Sequence, residues 1–468
     1  MGVIEESMAA WEGSTLSLTA ILQASIKEWE ASTTRREMRE GVAYYKGKNA
    51  ICDRLMYVYD AAGNKSVDAD AANNRIPHGF MRLAIDEKVA YIVGKSPTYT
   101  SEALPKLEEA LQAILTSHFS DKLSDWVGVG GKCGISWLHP YIVTGSDSKP
   151  VLRFALIPSD QVIPLWNDEE HEVLQGVIRT FNLTEYQGDK RVEVRHVELW
   201  TPETVMYYVE SEGLLIPDIA AEETGEPRPH IKQGSKAYAW EVVPFAPLKN
   251  NSDEQPDHVA VKGIIDAYDL IVSDTANTLE DIARLVLILT NYDGEDLADF
   301  RRNLKTHKAI KVGDNGAVSA LKAEMDPTAT EKMLDRLAGD FYRFAQSVDM
   351  TAQDGSADPS GVALEFIYSG LKLKCDTVER KLQNAFERIF AIVCRFIEIT
   401  GGGKFDPALA SVTFTRSAIR NEKDALESVN LALGSHSEET ALAHSPWVTD
   451  PAGEIAKRAE EQPSLTGA

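Results

Sequence analysis

The chain has 468 residues, 43 % hydrophobic and 26 % charged, which excludes an intrinsically disordered polypeptide and leaves room for several domains around a buried core. Its formal net charge of −24 argues against a clamp that grips nucleic acid, because such clamps are basic. It does not argue against a conduit, where like charge keeps a polyanion from sticking.

Taken in order, the N-terminal half starts helical. Leu18, Ile21, Leu22 and Ile26 give Leu16–Ala31 a helical period, and Arg35–Tyr45 continues it as far as Gly47. A turn at Asn73–His78 leads into a helix over His78–Val93, followed by helices over Lys106–Phe119 and Asp121–Gly131. The period then changes. Ile135–Tyr141, Leu152–Ile157, Val173–Phe181, Arg191–Leu199 and Thr204–Val209 are short β-branched or alternating runs broken by Pro, Gly and Asp, which predicts antiparallel strands. Pro217–Ser235 reads as an exposed loop, Val242–Phe245 as a short strand, and Asn250–Pro256 as a polar hinge. The fold class is therefore α+β, with helices predominating.

The C-terminal half is organised around Val259–Asn291, which reads as one helix of roughly 32 residues, on the order of 45 Å long. Asp266, Asp269, Ser273, Asn277, Glu280 and Arg284 recur every three or four residues along it. They predict a narrow solvated acidic strip on a helix that is otherwise apolar. Its apolar residues, Ile265 and Leu285 among them, predict packing among many neighbours. Tyr292–Pro327 is a compact insertion in which Ala309–Val312 and Ala317–Leu321 form a hairpin around Asn315-Gly316. Thr328–Val348 is a partner helix with Leu334, Leu337, Phe341, Phe344 and Val348 on one stripe. Asp349–Gly361 carries turn residues throughout and cannot be helical. Val362–Thr400 is helical, with a kink expected near Ser369-Gly370 and a stop at Gly401-Gly402-Gly403. Val412–Thr415 reads as a strand, and Glu422–Leu433, Glu438–His444 and Pro451–Glu461 as helices.

Chemical motifs are scarce. Gly128–Gly134 suggests a phosphate loop, but the motif's first glycine is missing and Cys133 stands where Ser or Thr is required. It is read as a closely packed helix end. His78, His139 and His196 are isolated and read as structural, and no HExxH, GxSxG or paired Cys/His set occurs. No catalytic residue, metal site or cofactor is assigned, and the chain is not expected to be an enzyme. Cys52, Cys133, Cys375 and Cys394 show no CxxC spacing, which fits reduced thiols. Met1–Ser14 lacks the basic and apolar regions of a signal peptide, and Glu6 occupies the position a myristoylation motif reserves for Ser or Thr. No window of about 18 residues is free of charge, so no membrane span is expected. From the residues alone two readings stand: a channel and assembly hub, or an acidic α+β domain fused to a helical bundle that acts as an enzyme or regulator.

Longer stretches carry a resemblance. YYKGKNAI, NNRIPHGF and KVAYIVGKSP are similar to the N-terminal half of the portal proteins of tailed bacteriophages with long non-contractile tails. So are the passage from VVPFAPLKN to NTLEDI, then LILTNYDGEDLADFRRNLKTHKAIKV, LDRLAGDFYRFAQSVDM, SGVALEFIYSGLKLK, and the tail from FTRSAIRN to DPAGEI. The likeness is collinear over about residues 20 to 460, and no single piece of it is a catalytic signature. The sequence departs from the family pattern at the acidic, Pro-rich insert Pro217–Ser235 and at Phe245–Leu248.

The resemblance implies a ring, typically of twelve subunits, at one capsid vertex. Residues 1–256 would be its wing, 257–291 and 328–348 its two stem helices, and 292–327 the clip between them. Residues 349–361 would be the tunnel loop, 362–400 a helix bridging wing and channel, and 401–468 the crown and C-terminal tail. The DNA-facing residues would then be Met350, Thr351, Ala352, Gln353, Asp354, Gly355 and Ser356, a run without Lys or Arg. The channel and stem residues would be the six of the polar strip. Asp296, Arg301, Arg302, Lys305, Lys308 and Asn315 in the clip would meet the packaging motor and later the head–tail adaptor. The implied partners are further copies of the chain, double-stranded DNA, the terminase motor, the adaptor, and capsid and scaffolding proteins. The implied location is the portal vertex of the virion, after assembly in the host cytoplasm.

Overall fold

The computed structural model describes residues 17–60, 62–69, 71–101, 104–145, 149–187, 189–218, 226–233, 235–282, 286–290, 317–321, 327–349, 366–416, 422–443, 445, 448 and 451–461. The chain divides into two compact units. Met1–Tyr45, Met81–Ala260 and Tyr342–Ala468 form the first; Lys46–Phe80 and Val261–Phe341 form the second.

The elements begin with α1 (Leu18–Ala31) and α2 (Thr33–Tyr45). Ser17 caps α1, its side-chain oxygen accepting the Ala20 N–H. A short hairpin, β1 (Tyr57–Tyr59) and β2 (Lys65–Val67), precedes α3 (Phe80–Val93), β3 (Thr98–Thr100), α4 (Pro105–Ile114) and α5 (Ser117–Cys133). The strands follow: β4 (Ile135–Thr144), β5 (Pro150–Ile157), β6 (Val162–Trp166), β7 (Leu174–Gln187), β8 (Lys190–Trp200), β9 (Thr204–Ser211) and β10 (Leu214–Pro217). Next come the short strands β11 (Arg228–Pro229), β12 (Ile231–Gln233) and β13 (Lys236–Tyr238), and then β14 (Ala246–Lys249). The second half holds α6 (Lys262–Ile282), β15 (Val286–Thr290), β16 (Ala317–Leu321), α7 (Pro327–Ala345) and α8 (Ser369–Ile399). It closes with β17 (Ser411–Thr413), α9 (Glu422–Leu433), α10 (Glu438–Ala443) and α11 (Pro451–Glu461).

In the first unit an antiparallel sheet runs β10-β9-β8-β7-β6, with β11 also on β9, and a second sheet runs β14-β4-β5. Leu22 and Ile26 of α1 lie one helical turn apart and cover Ile178, Val197 and Leu199 of the larger sheet. The main core surrounds α8. Leu371, Cys375, Val378, Leu382, Phe386, Ile389 and Val393 recur every three or four residues and are buried with Leu107 and Leu111 of α4 and Leu123 and Trp126 of α5. Each fully buried side chain of this kind contributes about 1.5–3 kcal/mol. The chain is helical at Phe366–Ile367, interrupted at Tyr368 and helical again from Ser369, so the break falls where the sequence places a kink. At the other end Gly401 N–H donates to the Glu398 carbonyl and Gly402 N–H to the Ile397 carbonyl, with Gly401 at φ 88°, a Schellman stop that only glycine adopts without strain.

Gly128–Gly134 is the end of α5, and its glycines are required by close approach. A Cβ on Gly131 would lie 2.7 Å from Lys88 Nζ, and one on Gly134 would lie 1.9 Å from the Glu254 carbonyl oxygen. Against that helix end sits a buried charge node. Lys88, fully buried, donates to Asp257 Oδ2 at 2.5 Å and to Asn250 Oδ1 at 2.7 Å. Lys374 Nζ lies 3.2 Å from Asp257 Oδ1 and also donates to the Ala345 carbonyl at 3.1 Å. Burial alone would raise the Asp257 carboxyl, but the fields of Lys374 and Lys88 and the hydrogen bonds from Lys88 and Asn250 override it, holding the group well below the usual carboxylate range. Burial pushes the Lys88 ammonium down, against the opposing pull of Asp257.

Three expectations fail here. The long helix ends at Ile282, and Val286–Thr290 is a strand paired with β16 from Val286↔Leu321 to Thr290↔Ala317. A short continuous apolar run such as VLILT fits a buried helix and a buried strand equally, so periodicity could not separate them. Ala317–Leu321 is a strand as expected, but its partner is β15; Ala309–Val312 lies outside the described residues. The strand placed at Val242–Phe245 starts instead at Ala246, and Val243 and Phe245 are core residues.

Removing the Asp257 charge leaves two lysines facing each other in the interior. Asp257→Asn is expected to lower stability in urea unfolding by about 3–5 kcal/mol. Because the folded carboxyl sits below its unfolded value of about 3.9, the node's contribution should be present above about pH 4 and fade as pH falls further.

Candidate functional site

The second unit is built on a match between two periods. Asp269, Ser273 and Asn277 stand four residues apart on α6 and so lie on one line. Opposite them runs the segment Asn73–His78, which Pro77 biases towards an extended conformation. Alternate residues of this strap donate their backbone N–H groups to the helix. Asn74 N–H reaches Asn277 Oδ1 at 2.6 Å, Ile76 N–H reaches Ser273 Oγ at 3.1 Å, and His78 N–H reaches Asp269 Oδ1 at 3.0 Å. Two extended residues advance about 6.6 Å and four helical residues about 6 Å, so the rungs stay in step. The side chains of both segments lock the ends. Asn74 Nδ2 donates to Asn277 Oδ1 and Glu280 Oε2, each at 3.0 Å, and His78 Nδ1 lies 2.7 Å from Asp269 Oδ1. Asn49 Nδ2 donates to Asp269 Oδ2 at 2.6 Å, and Arg54 pairs with Asp274 at 2.6 Å.

This corrects the solvated strip. Asp269 and Ser273 are fully buried and Asn277 nearly so, with their acceptors occupied by the strap. Asp266 and Glu280 are half-buried; Asp266 pairs with Lys262 at 2.6 Å. Arg284 lies outside the described residues. Ile265 is also buried within its own chain, 1 % exposed, so it is not available to a neighbouring copy, and Leu285 lies outside the described residues. The helical period located a polar face correctly but carried no information about what covers it, because the cover comes from nearly two hundred residues upstream.

The other implied sites are described only at their edges. Met350, Thr351, Ala352, Gln353, Asp354, Gly355 and Ser356 lie outside the described residues. Before them α7 ends in a left-handed Gln346, φ 53°, with Ser347 N–H donating back to the Tyr342 carbonyl. Glu87 of α3 then holds the Ser347 hydroxyl and, at 3.2 Å, the Val348 N–H. Asp296, Arg301, Arg302, Lys305, Lys308 and Asn315 also lie outside the described residues; β15 and β16 form the paired base from which that excursion leaves and to which it returns. Sequence reasoning missed the Lys88–Asp257–Lys374 node. Nothing in the sequence set Lys88 apart from its charged neighbours Asp86 and Glu87 in the helical stretch Ala84–Val93.

Among the described residues no group of three or more His, Cys, Asp or Glu side chains is placed to hold a metal ion. Burial pushes the Cys133 and Cys375 thiols up to about 12, so neither is a thiolate at neutral pH. Burial also lowers His139 to about 4, leaving it neutral; its Nδ1 lies 2.7 Å from the Pro244 carbonyl oxygen. Among the described residues no helix is long and apolar enough to cross a membrane. The polar groups of this constellation are engaged in packing within the fold, as in a structural protein.

Comparison with known proteins agrees with that class. The chain matches the family described as phage portal protein, SPP1 Gp6-like, over residues 26–465. It is 33 % identical over 425 residues to the portal protein of Bacillus phage SPP1, covering 90 % of this chain and 83 % of that one. It is 27 % identical over 432 residues to the portal protein of Clostridium phage phiCD119, covering 89 % and 90 %. The chain belongs to the SPP1 Gp6-like family of phage portal proteins, and a portal function goes with that membership.

If the ladder holds the strap, Asn277→Ala should free the Asn74 end of it. The expected cost is about 1–3 kcal/mol, with amide hydrogen exchange at Asn74 and Ile76 faster by roughly tenfold or more.

Proposed function

We propose that copies of this chain, twelve in number, close into a ring whose channel carries double-stranded DNA into and out of a capsid at one vertex. The observation that carries this reading is the family match, which runs almost end to end through both units. On this reading residues 1–256 are the wing, α6 and α7 the stem, and the excursion between β15 and β16 the clip. Residues 349–361 are the tunnel loop, α8 bridges wing and channel, and α9–α11 belong to the crown. The clip docks the terminase motor during packaging and the head–tail adaptor afterwards, and capsid and scaffolding proteins meet the ring during assembly in the host cytoplasm. The chain itself performs no catalysis; hydrolysis belongs to the separate motor.

Electrostatics support a conduit. Twelve chains of −24 give a formal charge on the order of −300 before counter-ions, which favours sliding over gripping. The run Asp349–Gly361 contains no Lys or Arg, so it cannot hold phosphates by ion pairs. Thr351, Gln353 and Ser356 offer weak hydrogen bonds and Met350 van der Waals contact, so the loop meets DNA by shape.

Negative-stain microscopy of the purified chain should show rings with a central hole; a monomer at every concentration and ionic strength would contradict the ring. Deleting Ala352–Ala357 should leave ring formation intact and change the length of DNA packaged. Unchanged packaging would remove the loop from the mechanism.

A further inference from the structure

The residues on either side of the run 350–365 are seated together on α3. On the near side Gln346 turns the chain at the end of α7, and Glu87 accepts both the Ser347 hydroxyl and the Val348 N–H. On the far side Tyr368 interrupts the helix before Ser369. Its ring stacks on that of Tyr91, with centroids 6.3 Å apart and planes 17° from parallel. Glu87 and Tyr91 stand four residues apart and so share one face of α3. Burial and the neighbouring Glu87 carboxylate both raise the Tyr368 phenol, so the side chain that holds the near side also acts on the far side.

The two sides also meet each other. Lys374 of α8 donates to the Ala345 carbonyl at 3.1 Å, and Val348 and Leu371 are buried in one core. Gly370 lies against Gln346: a Cβ built on it would stand 3.8 Å from Gln346 Cα and 3.9 Å from Gln346 Cβ. All of these residues belong to the first unit. Polar bonds on one side, an aromatic stack on the other and a lysine across them fix where the run departs and where it returns. A functional segment is placed most accurately when rigid elements hold its ends in this way.

We infer that Glu87 is a positioning residue which, with Tyr91 and Lys374 completing the seat, holds the two ends of the tunnel loop together on α3, and that this seat stays closed while DNA passes. The inference rests on the reading of residues 349–361 as that loop. It adds the side chains outside the loop that set its place.

The double substitution Gln346→Cys with Gly370→Cys tests the seat in full-length rings that also carry Cys52→Ser, since the other native cysteines, Cys133, Cys375 and Cys394, are buried. The separation lies within the roughly 3.5–4.5 Å between Cβ atoms that a disulfide spans, so oxidation should close the bond. Oxidised rings should then package DNA at the rate and to the length of the same rings in dithiothreitol. Thiols that fail to close, or packaging lost on oxidation and regained on reduction, would overturn the inference. Glu87→Ala should speed amide exchange at Val348 by roughly tenfold and slow packaging by about threefold or more in rings that remain closed. Glu87→Gln, which keeps an oxygen acceptor, should recover most of that rate. So should the disulfide between positions 346 and 370 placed in the Glu87→Ala chain, under oxidation only, a rescue that a role in stability elsewhere would not show. Normal packaging by Glu87→Ala, or no rescue by the disulfide, would overturn the positioning role. The deletion of Ala352–Ala357 separates this from the reading beneath it. If that deletion alters packaging and Glu87→Ala does not, the seat is wrong and the loop assignment stands; if neither alters it, both fall.

Discussion

An extended chain advances in two residues almost as far as a helix does in four, and the second unit depends on that coincidence. It lets Asn74, Ile76 and His78 hand three alternate backbone N–H groups to Asn277, Ser273 and Asp269. Each of those side chains would be costly to bury without a partner, and each strap amide would be costly to cover without an acceptor. Together they make a seam of paired polar groups with no regular sheet between them. The seam seals the polar side of α6 from within its own chain. Asp269, held by Asn49 as well as His78, is the point where the seam closes.

A second constraint operates where the chain leaves and re-enters the first unit. Asp257 lies just before the start of α6, and Lys374, bonded to it, also holds the carbonyl of Ala345 at the end of α7. Glu87, beside Lys88 in sequence, holds Ser347 and Val348. The residues just before α6 and just after α7 are therefore held by Asp257, Lys374 and Glu87, all within the first unit. Buried ion pairs add little net stability over apolar packing, but they are demanding about geometry.

Much of this was legible in the sequence, for physical reasons that differ by element. The helices Glu422–Leu433 and Pro451–Glu461 match their predicted bounds because charged, amphipathic runs with clear start and stop signals leave no competing structure. The strands of the large sheet were visible through β-branched runs between turn residues, and Gly401–Gly403 through the backbone geometry that a helix stop needs. Val286–Thr290 was misread because five aliphatic residues carry no period. The buried polar seam was misread because Asp and Asn on a helix face look alike whether water or another segment satisfies them. The portal family was recognisable from collinear stretches spread across the chain rather than from any one motif, and Phe245–Leu248, noted as a departure, turned out to be core and sheet.

The charge of the chain belongs with the same picture. A wall made of acidic subunits repels a polyanion on average, so what touches DNA must do so locally and weakly, while the subunits must hold together through surfaces that are not acidic. The most direct measurement is a symmetry-resolved electron-microscopy reconstruction of the purified oligomer. The prediction is a closed ring in which Asn73–His78 stays seated on Asp269, Ser273 and Asn277. An open or monomeric particle, or a ring in which those three side chains face the channel water, would contradict it.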